Sequence, residues 1–251
     1  MNHSVKLVAM TQPTDDPNDT VEGLIAYCAR VSNPANQNNA VTASKLLGYL
    51  IKNNHWSPFE MVHMVLEIQC TRTIGRQILR HRSFSFQEFS QRYAEVTDDM
   101  FIKEPLEARL QDHKNRQNSI STDNNETIEW WDDIQKKNMQ QAKLDYLEAL
   151  ALGVAKEQAR AVLPEGLTMS RMYMSGSLRS WIHYCQLRMG NGTQKEHQDI
   201  ARDCWQIILK EFPSLQGIFN SLDINVLQHS VYSNATNTVV SQDKDAINNY
   251  S

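Results

Sequence analysis

Cysteine is scarce and scattered in this chain. Its four copies, Cys28, Cys70, Cys185 and Cys204, form no C-x-x-C pair and have no histidine-rich neighbourhood. A disulfide framework or a zinc site needs clustered ligands, so the four read as reduced, mostly buried thiols and no metal site is expected. Long apolar runs are missing as well, with nothing approaching the ~18 uninterrupted residues of a membrane span. The opening MNHSVKLVAMTQPTDD lacks the apolar core of a signal peptide. These absences give the expectation of a soluble, cytoplasmic protein with no membrane partner. An excess of positive charge is absent too. With 25 Lys and Arg against 29 Asp and Glu, a net charge of −4, the chain has no general field for nucleic acid. Any anionic ligand must be caught by a local cluster.

What is present fits one sizeable domain of 251 residues, 41% hydrophobic and 22% charged. Residues 5–10 read as a short strand, and 20–31 and 40–52 as helices with apolar positions near 3.6 spacing. The segment His55-Trp-Ser-Pro-Phe-Glu60 ends the second helix at Pro58. Along 62–70, Val62, Met64, Leu66, Ile68 and Cys70 alternate with His63, Glu67 and Gln69, the pattern of a half-buried strand. A helix over 71–81 is expected to lead into a serine- and aromatic-rich loop ending at Arg92-Tyr93. Residues 98–130 are polar and read as a surface excursion. Helices are predicted over 132–152, 154–162, 177–189 and 194–212. The third of these carries Leu178, Trp181, Ile182, Cys185 and Met189 as an amphipathic stripe. The fold class is α+β, a mainly helical single domain around a small, largely antiparallel sheet. It is expected to span 1–227, with an Asn/Ser/Thr-rich tail at 228–251.

The chemistry concentrates between Arg72 and Arg92, where five arginines meet a single acid, Glu88. On a helix Arg72, Arg76 and Arg80 fall at i, i+4 and i+8, hence on one face, and like charges so placed repel. A solvated basic face would tolerate this, but a bound anion opposite it would use it, because guanidinium forks grip phosphates. Ser83, Ser85 and Ser90 add neutral donors, and Phe84, Phe86, Phe89 and Tyr93 could wall a base or a flavin ring. Single-stranded nucleic acid could use the same parts. The acidic total charge speaks against it, and no nucleic-acid partner is expected.

The run Arg80-His-Arg-Ser-Phe-Ser-Phe-Gln-Glu-Phe-Ser-Gln-Arg-Tyr93 resembles the signature of the flavin-dependent thymidylate synthases. Further segments resemble that family in the same order: Ala29-Arg-Val-Ser32, His55-Trp-Ser-Pro-Phe-Glu60, Gln158-Ala-Arg-Ala-Val-Leu-Pro164 and Ser177-Leu-Arg-Ser-Trp-Ile-His-Tyr-Cys-Gln-Leu-Arg188. Gln87 and Ser177 stand where the family commonly has Asn, and Met61 and Gly192 where it often has His.

The resemblance implies methylation of dUMP to dTMP, with FAD as hydride carrier and NADPH and 5,10-methylenetetrahydrofolate as co-substrates. It assigns FAD to Ser32, His55, Ser57, Arg80, His81, Arg82, Glu88, Ser177, Arg179 and His183. It assigns dUMP to Gln77, Arg80, Glu88, Phe89, Ser90, Gln91, Arg92, Arg160 and Arg188, with Arg188 also catalytic through the uracil ring. The implied assembly is a homotetramer with FAD between subunits. Spacing is compatible: Arg179 and His183 are i, i+4, and Arg188 lies about 140° around the helix from His183. The rival readings are a nucleotide-binding protein that has lost catalysis and a single-stranded nucleic-acid binder.

Overall fold

The computed structural model describes residues 2–14 and 20–217. The predicted tail at 228–251 lies outside them. The chain opens with strand β1 (Ser4–Met10), followed by helix α1 (Val21–Ala29), whose first turn is capped by the Thr20 hydroxyl accepting from Gly23 N at 3.0 Å. Helix α2 (Ala43–Lys52) buries Ala43, Leu47, Leu50 and Ile51, a single helical face. Pro58 then sits in a 3-10 turn, Ser57–Met61, because its ring fixes φ and removes a donor.

Strand β2 (His63–Thr71) is the alternating segment, and its Met64, Leu66, Ile68 and Cys70 are all buried. Helix α3 (Arg72–Ile78) is shorter than predicted, and strand β3 (Ser85–Glu88) lies inside the segment expected to be a loop. Strands β4 (Arg109–Gln111) and β5 (Ser119–Ser121) form a hairpin, and helix α4 (Asn125–Ala151) starts within the expected excursion. Helix α5 (Lys156–Ala159) is one turn, continued as the 3-10 turn Arg160–Val162. Strand β6 (Met169–Ser177) precedes helices α6 (Leu178–Arg188) and α7 (Lys195–Glu211).

The main sheet has the order β1-β2-β6-β3, antiparallel throughout. Strand β6 is central, yet no strand is predicted there. Its Met172 and Met174 alternate with Arg171 and Tyr173, but the strand holds no β-branched residue and includes Gly176, so the period carries little local weight. Opposite β2 the register sets Met174 beside Leu66 and Met172 beside Ile68. Against this face pack α1, α2, α6 and α7, through Ile25, Leu47, Trp181, Ile182, Ile200 and Ile208. A second cluster joins Val96, Phe101, Tyr146, Ala159 and Leu163, with Val96 N donating to the Tyr146 hydroxyl at 3.1 Å. Phe101 is therefore buried although its surroundings are polar, because Tyr146 of the long α4 packs in the same cluster, and Ile102 is buried beside it.

Candidate active site

Helix α6 carries several of the candidate site residues along its length. At its start, the Ser177 hydroxyl accepts from Ser180 N at 3.2 Å, so this serine caps the helix and is itself buried. Two residues on, Arg179 Nη1 reaches Glu60 Oε1 at 2.7 Å. Burial would raise the Glu60 carboxyl, but hydrogen bonds from Ser177 and Arg179 outweigh it and hold the group below its ordinary value. The His183 ring stands edge-on to Trp56 with centroids 4.6 Å apart, and Trp56 leans on the fully buried Phe59. Burial and then the charge of Arg179 lower His183, favouring the neutral imidazole. Exposed His55 and Ser57 flank Trp56 in sequence. These contacts bring the 3-10 turn against α6, so that Trp56, His183, Glu60 and Arg179 lie together. Ser32 is exposed on the chain after α1.

The C-terminal end of α6 is different. Nine residues of helix carry Arg188 about 13 Å beyond Arg179. There Arg188 Nε donates to His81 Nε2 at 2.8 Å. The His81 ring also meets Tyr184 edge-on at 4.9 Å. Burial, then the Arg188 charge, push His81 down to about 4, so it is neutral and accepts this bond. No acid is paired to Arg188 among the described residues.

The arginine cluster does not act as one face. Helix α3 stops at Ile78, so Arg80 leaves the line of Arg72 and Arg76. Arg72 is buried 3.6 Å from Glu88, and Arg76 pairs with Glu165 at 2.8 Å. Glu88 also accepts from the Ser170 hydroxyl at 2.7 Å, which turns that carboxylate inward. Arg80 and Arg82 are exposed and have no ion pair among the described residues. A bound anion would therefore meet Arg80 and Arg82 rather than Arg72 and Arg76, whose charges are already matched.

The remaining predicted residues form a third group. Arg92 Nε lies 3.5 Å from Glu157 Oε2, and Arg160 Nε donates to the Glu157 carbonyl at 3.2 Å. Phe89 N donates to Arg171 O at 2.9 Å, continuing the β3 edge, and Arg92 N donates to the Ser90 hydroxyl at 3.4 Å. Gln91 is buried, and its Nε2 has no partner among the described residues. Among the described residues no hydrogen bond or ion pair joins Arg92 or Arg160 to Arg188. Gln77 is bonded to His197 and Gln194, and the charge of Arg188 acts on that same His197. A cavity of about 770 Å³ between the hairpin and α7 reaches Gln194 and Glu196 but none of the arginines of the cluster.

The family model described as thymidylate synthase complementing protein matches residues 10–214. A probable flavin-dependent thymidylate synthase of Paramecium bursaria Chlorella virus 1 is 52% identical over 212 residues, 84% of this chain and 96% of that relative. The chain belongs to the flavin-dependent thymidylate synthase family. The flavin-dependent thymidylate synthase of a Synechocystis strain is 49% identical over 214 residues, again 84% of this chain and 96% of the relative. In fold it resembles the UMP/dUMP methylase PolB of Streptomyces cacaoi, with a TM-score of 0.69 at 24% identity, covering 87% of this chain and 95% of that one.

Within this flavin-dependent thymidylate synthase fold, sequence reasoning missed several groups that hold the predicted residues in place. Glu60 pairs with Arg179, Trp56 supports His183, and Glu157 gathers Arg92 and Arg160. The first two lie inside the quoted motif around Pro58, so the signal was there without its partner.

The neutral histidines have a consequence for stability. An unfolded His81 takes up a proton as pH falls below about 6.5, whereas the folded residue stays neutral down to about 4. The unfolded chain then binds more protons, so stability present above that pH is lost as the solution is acidified. Urea unfolding at pH 7 and pH 5, above most carboxylate titration, should show the loss. His81→Asn should make it smaller, and an unchanged pH dependence would refute this account.

Proposed function

We propose that the protein converts dUMP to dTMP with 5,10-methylenetetrahydrofolate as one-carbon donor, FAD as hydride carrier and NADPH as reductant. The observation that carries this reading is Arg188, a cation bonded to a neutral histidine and paired with no acid among the described residues. A fixed positive charge beside the uracil N3 stabilises the deprotonated ring. Its electron density then rises at C5, which attacks the methylene carbon of the folate as one of that carbon's two bonds to folate nitrogens breaks. Loss of the C5 proton with cleavage of the second carbon–nitrogen bond, which releases the folate, and delivery of a hydride to the transferred unit leave the methyl group of dTMP.

The donor set suits a flavin dinucleotide. Arg80 and Arg82, exposed and without an ion pair among the described residues, offer guanidiniums for its diphosphate, and Arg179, His183, Ser57 and His55 lie on or beside the helix and turn that meet at Trp56. Ser32, His81, Glu88 and Ser177 complete the proposed set. When bound, FAD would supply the hydride that NADPH renews. Substrate binding falls to Gln77, Arg80, Glu88, Phe89, Ser90, Gln91, Arg92, Arg160 and Arg188. Arg92 and Arg160 suit the phosphate, since Glu157 engages each only loosely.

We also propose a homotetramer with FAD between subunits. The flavin patch is open on the chain, and Leu144, Leu147 and Leu187 are large apolar side chains at 61%, 48% and 61% exposure. No helix among the described residues is long and apolar enough to cross a membrane. The four free cysteines, three of them buried, support a cytoplasmic location.

The test is anaerobic, with purified protein, FAD, NADPH and methylenetetrahydrofolate, in the presence and absence of dUMP. Bleaching of the flavin followed by dUMP-dependent reoxidation and dTMP release is expected. Bound flavin with no dTMP would favour the non-catalytic nucleotide binder, and no flavin binding would overturn the proposal.

A further inference from the structure

Gln77 is held from both sides by groups to which the reaction gives no role. His197 Nδ1 lies 3.2 Å from Gln77 Oε1, and Gln77 Nε2 lies 2.8 Å from Gln194 Oε1. Gln194 Nε2 lies 2.9 Å from Glu196 Oε2, and Arg109 binds the other oxygen of Glu196. On the far side, His197 Nε2 lies 3.1 Å from the Tyr184 hydroxyl. His197 and Tyr184 are both buried.

The polarity of this chain follows from its charged end. Burial would raise the Glu196 carboxyl, but its hydrogen bonds, that from Arg109 foremost, hold it below the ordinary value, so it is ionised and only accepts. Gln194 must then turn its amide nitrogen to Glu196 and its oxygen to Gln77. Gln77 in turn gives Nε2 to Gln194 and Oε1 to His197. The Nδ1 of His197 therefore carries the proton, its Nε2 holds a lone pair, and the Tyr184 hydroxyl donates into it. Burial, with the charges of Arg188 and His81, pushes His197 down to about 3, in keeping with a single ring proton. After every bond is assigned, Gln77 keeps one uncommitted N–H.

We propose that His197 is a positioning residue: it fixes the Gln77 amide so that Gln77 offers an N–H donor to an acceptor oxygen of the nucleotide. This rests on the reading of Gln77 as a dUMP ligand. With the chain intact, a flipped amide would set Gln77 oxygen against Gln194 oxygen and Gln77 N–H against the protonated Nδ1. Both contacts would be repulsive. Without His197 that restraint is halved, and the flipped amide would face a carbonyl or phosphate oxygen with its own oxygen. Tyr184, Gln194, Glu196 and Arg109 act through the same chain, and Glu196 fixes its direction.

Two substitutions separate positioning from packing, since both remove the same ring. In His197→Asn the amide occupies the place of Nδ1 and still donates to Gln77. In His197→Gln the longer side chain reaches the place of Nε2, meets Tyr184 and leaves Gln77 Oε1 unpaired. Dissociation constants for dUMP would be measured on the FAD-loaded full chain, with flavin content, thermal midpoint and kcat recorded alongside. The Asn variant should bind dUMP much as the parent does, and the Gln variant should bind about tenfold more weakly, one hydrogen bond's worth, with kcat at saturation changing less than KM. Equal dUMP affinities in the two variants, or a Gln variant that binds like the parent, would overturn the proposal while leaving the functional reading intact. A parent protein that binds no dUMP would instead reject Gln77 as a dUMP ligand, and the inference with it.

Discussion

Replacing Arg188 by alanine should lower dTMP formation by about two to three orders of magnitude at saturating dUMP, the usual cost of removing one charge-stabilising group from a reacting centre. The structure gives the reason for so large an effect. Arg188 is held by a neutral partner, His81, and no acid among the described residues draws off its charge. Its removal takes away the cation proposed to stabilise the uracil anion, and no neighbouring side chain on α6 replaces it. The same substitution leaves His81 Nε2 without its donor and lifts one of the two causes of its lowered pKa. The His81 titration should therefore move upward, visible in the imidazole resonances. Lysine at this position would keep the charge but lose the planar fork that spans two partners, so Arg188→Lys should fall between the parent and Ala. Anaerobic single-turnover formation of dTMP is the measurement. An Ala variant within tenfold of the parent would remove Arg188 from the chemistry.

Gly176→Ala should be the most damaging small change in the sheet. A Cβ built at Gly176 falls onto Phe84, 2.6 Å from its Cε1. Phe84 cannot step aside cheaply. Its ring is wedged edge-on to Trp181 at 4.8 Å and to Tyr184 at 5.9 Å, and His81 lies 6.4 Å away. Overpacking a core of this kind costs about 1–3 kcal/mol, which lowers the thermal midpoint by about 2–4 °C per kcal/mol in a domain of this size. Because the displaced ring supports His81, weaker flavin and dUMP binding should accompany the loss of stability. Thermal unfolding and ligand titration of the variant would show both. A midpoint equal to that of the parent would mean that Phe84 has room that its neighbours do not reveal.

Much of the fold was legible from local pattern. Residues 62–70 alternate and form β2, and the stripe from Leu178 to Cys185 is buried on α6. In both cases burial of one face is a short-range property, written in a period of two or of 3.6. Where the pattern was weak the reading fell short. Strand β6 is central but methionine-rich, and β3 is four residues within a loop-like sequence. Most of 98–130 is exposed or half-buried, but Phe101 within it is buried in a cluster with Tyr146, which is distant in sequence.

The sequence by itself determined the family through its ordered motifs, the residue types at the site and the faces on which they lie. Tertiary structure alone decided which charges remain available. Arg72 and Arg76 are equivalent to Arg80 by spacing, yet Glu88 and Glu165 neutralise the first two and the third has no ion pair among the described residues. His81 and Arg188 are 107 residues apart and become donor and acceptor only when α6 brings them together. The physical reason is that the strength of a charge, and the pKa of the group beside it, depend on distance through space and on exclusion of water. Sequence spacing encodes neither, whereas it does encode which side of a helix or strand turns inward.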